Sequence, residues 1–163
     1  MFYVLKNVSL SLKYLLKSVV ILLKYLLKNV IVYMERIVFQ KLIEWKDSTN
    51  RKPLILNGAR QVGKTWLLEQ LGDRYFDKVA YLVCRKNQAL KDVFSQDFDT
   101  DRILRALRAL SGVDITPGDT LIVLDEVQDI PEAIESLKYF CEDAPECHVA
   151  VAGTLLGISL HKA

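Results

Sequence analysis

The stretch LILNGARQVGKTWLLEQ, residues 54–70, joins a short apolar run to a glycine-bearing loop and then to a segment with helical spacing. Within it, Gly58 to Thr65 satisfies the pattern G-x-x-x-x-G-K-[ST]. Gly58 and Gly63 are expected to admit backbone angles that a side chain would forbid, so that consecutive N–H groups curl around phosphate oxygens. Lys64 would carry a point charge to the β and γ phosphates, and Thr65 would offer its hydroxyl to Mg²⁺. The helix that starts there turns its partial positive end towards the anion. A glycine-rich structural turn would satisfy the same letters. It would seldom sit between a buried strand and an amphipathic helix, as this loop does.

A second feature supplies the other half of such a site. LIVLDE, residues 121–126, runs four apolar residues into Asp125 and Glu126. In α/β sheets, ligands gather at the C-terminal ends of the strands. Asp125 would hold the Thr65-bound Mg²⁺ indirectly, and Glu126 would orient and deprotonate an attacking water. Acids after a strand are ordinarily a solvated turn. Their place some sixty residues after the phosphate loop argues for chemistry instead. Thr154, closing VAVAGT, could hydrogen-bond the same water or the γ-phosphate, against the plainer reading of a strand-end hydroxyl.

The rest of the body alternates strand and helix. Pro53 opens a strand over PLILN, and Leu67, Leu68 and Leu71 mark a helix that Gly72 is expected to stop. KVAYLVC (78–84) reads as a second strand, and residues 85–98 carry no clear period. Asp99 or Thr100 would cap a helix bearing Ile103, Leu104, Leu107 and Leu110, which ends at Gly112. Strands follow at 120–125 and 147–154, separated by a helix that starts at Pro131. The fold class is therefore α/β, with a parallel sheet and crossover helices. Arg102, Arg105 and Arg108 line one side of a helix and could serve a neighbouring subunit as an arginine finger, against the default of a solvated charged face. His148 and His161 have no metal-ligating company and read as structural or exposed.

Net charge separates two regions. The chain of 163 residues carries +2, while residues 1–33 contain five lysines and no acid, which leaves −3 for residues 34–163. A mildly acidic body argues against a dedicated nucleic-acid surface. Cys84, Cys141 and Cys147 are odd in number and lack zinc spacing, as expected of reduced thiols in the cytoplasm.

The first 33 residues form a repetitive helical extension. YVLKNVSL (3–10), YLLKSVVI (14–21) and YLLKNVIV (25–32) recur every eleven residues, and Lys6, Lys13, Lys17, Lys24 and Lys28 fall in one narrow arc of a helical wheel. The longest uncharged run between the stretch's later lysines, Ser18 to Leu23, falls far short of the roughly 18 residues of a membrane span. Lysines also interrupt what would be the apolar region of a signal peptide. Three readings stand: a cationic amphipathic helix on a membrane surface, a helix packed on itself or a partner, or a repeated stretch of DNA upstream of a start at Met34. MERIVFQKLIEWK, with Ile37, Val38, Leu42 and Trp45 on one helical face, looks like an ordinary domain beginning.

GARQVGKTWLL, LIVLDEVQDIPEA and AGTLLG together resemble the bacterial and archaeal AAA-type P-loop ATPases that have a GARQVGKT or GPRQVGKTT loop, followed by a C-terminal domain of uncharacterised function. The resemblance covers residues 34–163. It implies ATP binding through Gly58, Ala59, Arg60, Gln61, Val62, Gly63, Lys64 and Thr65, and Mg²⁺ held through Thr65 and Asp125. It also implies Glu126 as catalytic base and Thr154 at the first sensor position. The chain departs from the family at Val83-Cys84-Arg85, where relatives tend to have Asn and an acidic residue. It also reaches its last residues, HKA, soon after the fourth strand. Relatives continue with a fifth strand beside the first, and their second sensor and arginine finger come from that later part. The expectation is an incomplete AAA-like sheet with its first strand at an edge, binding ATP but turning it over weakly at best unless a second copy or a protein partner completes it. A remnant that binds nucleotide without turnover, and a tether acting through residues 1–33, are the competing functions.

Overall fold

The computed structural model describes the backbone of residues 2–154 and the side chains of residues 15–28 and 37–154. Residues 1–43 and 44–163 form two separate compact units. The first is helical: α1 runs unbroken over Phe2–Asp47, where the sequence suggests a repetitive extension and a new helix from Met34. No glycine or proline interrupts this stretch, so nothing in it stops the helical hydrogen bonds. Leu42 is buried together with Phe39, whereas Ile37, expected on the same face, is exposed. The side chains of Lys6 and Lys13 lie outside the described residues, as does His161. Among the described residues, no helix is long and apolar enough to cross a membrane.

The second unit is the α/β body. Its strands are β1 (Leu54–Asn57), β2 (Lys78–Val83), β3 (Thr120–Asp125) and β4 (His148–Gly153). All are parallel, in the order β1-β4-β3-β2. Between them come α2 (Lys64–Tyr75), α3 (Gln88–Phe94), α4 (Thr100–Ser111), α5 (Pro131–Glu135) and α6 (Leu137–Asp143). The two inner strands are buried along their whole length, as expected of apolar runs covered on both faces. Among the described residues β1 pairs with β4 alone, so the expectation of a buried strand is corrected: its burial alternates and Ile55 is 47% exposed, in keeping with the edge position that the resemblance implies. The connection from β1 passes through α2 to the opposite edge. That leaves the C-terminal end of β1 beside that of β4, at the edge of the sheet where α/β folds hold their ligands.

The core packs α3, α4, α5 and α6 against one face of the sheet through Leu90, Phe94, Ile103, Leu107, Ala133 and Phe140 with Ile122 and Leu124. Asp99 caps α4 by accepting from Arg102 N at 2.9 Å, and Gly112 closes that helix with a left-handed φ of 68°. α3 occupies the segment that carries no clear period. Asn87 caps it, accepting from Leu90 N at 3.1 Å. Gly72 does not stop α2, which continues to Tyr75. A Cβ at Gly72 would lie 2.5 Å from Val79 Cγ2, so this glycine permits close approach of helix and strand and is not a terminator.

Candidate functional site

β1 delivers the chain to the loop at the C-terminal edge of the sheet. Left-handed backbone falls at Gln61 (φ 62°) and at Gly63 (φ 87°), the residue before α2. Gly63 therefore needs its missing side chain for conformation. Gly58 does not: a Cβ there would meet Val62 Cγ2 at an ordinary 3.4 Å. The expectation that both glycines relieve forbidden angles is corrected for Gly58, because the sharp turns of the loop come later. Lys64 donates from Nζ to the carbonyls of Gly58 (2.9 Å) and Ala59 (2.7 Å), closing the loop on itself.

Two residues sixty positions apart then meet. Thr65 Oγ1, in the first turn of α2, donates to Asp125 Oδ2 at 2.8 Å. The same oxygen accepts from Tyr81 OH at 2.5 Å, and Asp125 Oδ1 accepts from Glu126 N at 2.8 Å. The buried carboxylate is thus fixed by three donors. Burial first, and then the bond to Asp125, push the Tyr81 phenol well above its usual range. Glu126 sits in the left-handed region (φ 54°) at the strand end. Its Oε2 pairs with Arg85 at 2.7 Å and accepts from Gln128 Nε2 at 2.6 Å. Gln128 Oε1 in turn accepts from Thr154 N at 3.1 Å, so one amide links the two strand ends. Gly153 permits that link, since a Cβ there would lie 2.7 Å from Gln128 Oε1 and 3.2 Å from Val127 Cγ1.

These groups surround a cleft of about 670 Å³. Arg60, Gln61, Gly63, Lys64 and Thr65 line one side, with Asp125, Glu126, Gly153 and Thr154 opposite. The size suits a small-molecule site. Gly58, Ala59 and Val62 stand outside this lining, and Val62 faces a shallower depression beside β1. Trp66, Glu69 and Arg85 complete the wall. For a divalent cation the structure offers the Thr65 hydroxyl and the Asp125 carboxylate, hard oxygen donors 2.8 Å apart. That set fits Mg²⁺, which binds through few protein oxygens and keeps several waters.

Sequence reasoning missed Tyr81 and Gln128. A lone hydroxyl in the apolar strand KVAYLV was the available signal for the first, whereas nothing in the pattern marks the second. Arg85 was visible only as a departure from relatives. Arg102 and Arg108 hold their own surroundings: Arg102 pairs with Asp97 (2.7 Å) and bonds Val93 O, and Arg108 donates to Ile115 O (2.6 Å). His148 is buried with rings of Trp45 and Phe76 against it, and its Nε2 lies 3.2 Å from Lys46 O. Burial lowers its pKa, in keeping with a structural histidine.

A family model described as an AAA domain matches residues 50–163. The chain belongs to the AAA domain family. This AAA domain accordingly has a nucleotide-binding P-loop fold of the ATPase type, and its match begins just ahead of β1 and includes every residue of the cleft. No curated protein and no solved structure matches the chain.

Proposed function

We propose that the AAA domain binds ATP with Mg²⁺ in the cleft and hydrolyses it when a partner completes the site. The Thr65–Asp125 hydrogen bond carries this reading, because it brings the loop hydroxyl and the strand-end carboxylate, sixty residues apart, to 2.8 Å at the mouth of the loop. The loop amides and the start of α2 would hold the phosphates, and Arg60 and Gln61 would border them. Lys64 would exchange its two carbonyl partners for β and γ oxygens. Thr65 and Asp125 would hold Mg²⁺, which when bound supplies charge neutralisation at those oxygens. Glu126 would take the proton of the attacking water, and Thr154 would orient that water or the γ-phosphate. An arginine finger would come from a second copy or a protein partner; Arg102 and Arg108, committed to local bonds, are poorly placed to supply it. The three free thiols support a cytoplasmic setting.

A second reading, nucleotide binding without turnover, rests on Glu126, whose Oε2 is engaged by both Arg85 and Gln128. A phosphate-release assay on the full chain separates the two. Slow, Mg²⁺-dependent release that disappears in Glu126→Gln supports hydrolysis. Binding with no release, unchanged by that substitution, supports the second reading.

A further inference from the structure

Ten large apolar side chains between Leu15 and Leu27 are each 46–64% exposed. So long a continuous exposure is unusual for a soluble surface and marks an interaction face. Its arrangement is ordered. At ~100° per residue, Leu15, Val19, Leu22 and Leu26 form one row and Leu16, Val20, Leu23 and Leu27 a second, together spanning about 160° of α1. Lys17, Lys24 and Lys28 lie on the opposite side within about 40° of one another, with Tyr25 between them and the apolar rows. Ile21 is the exception, on the lysine side. The same eleven-residue pattern recurs along residues 3–32, which contain five lysines and no acid.

We propose that this face of α1 lies on an anionic lipid bilayer, with the two apolar rows in the acyl boundary and the lysines at the headgroups. A second helix would cover only a narrow seam, about two positions in seven, and would leave one row in water. A bilayer surface covers both rows at once. The lysine stripe and the adjacent tyrosine then sit at the level where phosphate groups and interfacial rings are favoured. The helix rests in the interface and does not cross, since no described helix is long and apolar enough to span. Negative lipid is specified because the stretch has cations and no compensating acid. This inference is independent of the nucleotide reading.

The test is sedimentation of the full chain with phosphatidylcholine vesicles, with and without phosphatidylglycerol. Binding is expected only with the anionic lipid and should weaken as salt is raised. The triple substitution Lys17→Gln, Lys24→Gln, Lys28→Gln should reduce it about a hundredfold. Replacing Leu15, Val19, Leu22 and Leu26 by Gln should abolish it. An unchanged urea transition of the α/β body shows that either variant remains folded. Several outcomes would overturn the proposal: no vesicle binding, equal binding to both vesicle types, or an intact mass that begins at Met34. So would a lipid-free oligomer that the Leu/Val→Gln variant converts to monomer, which would assign the face to a second copy.

Discussion

Tyr81→Phe removes one hydroxyl and changes almost no volume. In the folded chain that hydroxyl donates to Asp125 Oδ2 at 2.5 Å. A hydrogen bond to a charged group is worth roughly 1.5–3 kcal/mol. Asp125 would keep Thr65 on the same oxygen and Glu126 N on the other, so the net cost should fall to about 1–2 kcal/mol. Urea unfolding should show this as a lower midpoint at unchanged slope. The carboxylate would also be freer to rotate, so half-saturation of ATP binding should require more Mg²⁺, a change that a purely structural tyrosine would not produce. The pH dependence gives a third readout. The folded chain holds the phenol proton to higher pH than the unfolded chain does, whose phenol titrates near 10. The stabilisation is therefore complete below pH 10 and is lost as pH rises beyond it. Wild type should lose stability more steeply than Tyr81→Phe in that alkaline range. Identical midpoints, identical Mg²⁺ dependence and identical alkaline slopes would refute the reasoning.

Other substitutions probe the close approaches and the ion pair. Gly72→Ala ought to gain up to about 1 kcal/mol from helix propensity, yet the 2.5 Å approach to Val79 Cγ2 should turn this into a net loss of about 1–3 kcal/mol in urea unfolding. Gly153→Ala should displace Gln128 and cost a similar ~1–3 kcal/mol, with reduced ATP turnover wherever turnover is measurable. Arg85→Ala should release Glu126 and raise turnover up to about fivefold, the rate equivalent of a partly exposed ion pair of ~1 kcal/mol, with little change in ATP affinity. Lower turnover would show that Arg85 assists the chemistry, and equal turnover that it does not restrain the base.

Much of this is legible in the amino-acid sequence, and the reason is local. The phosphate loop, the buried strand LIVLD and the caps at Asp99 and Gly112 are signalled by residues adjacent in the chain, whose backbone demands do not depend on distant partners. The edge position of β1 was anticipated from the resemblance, and no local pattern in LILN contains it. What escaped was set by packing between remote segments. Gly72 looks like a terminator until Val79 of the next strand is placed against it. α3 lacks a strong period because only Leu90 and Phe94 of its seven residues are buried. Gln128 joins Glu126 to Thr154 across 26 positions, and no spacing rule contains that contact. The engagement of Glu126 by Arg85 is likewise a property of two strand ends lying side by side.

The central claim is that Lys64, Thr65 and Asp125 form a working Mg²⁺-nucleotide grip. Calorimetric titration of the full chain with ATP, with and without Mg²⁺, tests it most directly, alongside Lys64→Ala. The account predicts saturable binding that strengthens with Mg²⁺ and weakens about ten- to a hundredfold in Lys64→Ala, the loss of one or two charge-assisted contacts. Binding that ignores Mg²⁺, or that Lys64→Ala leaves intact, would contradict it.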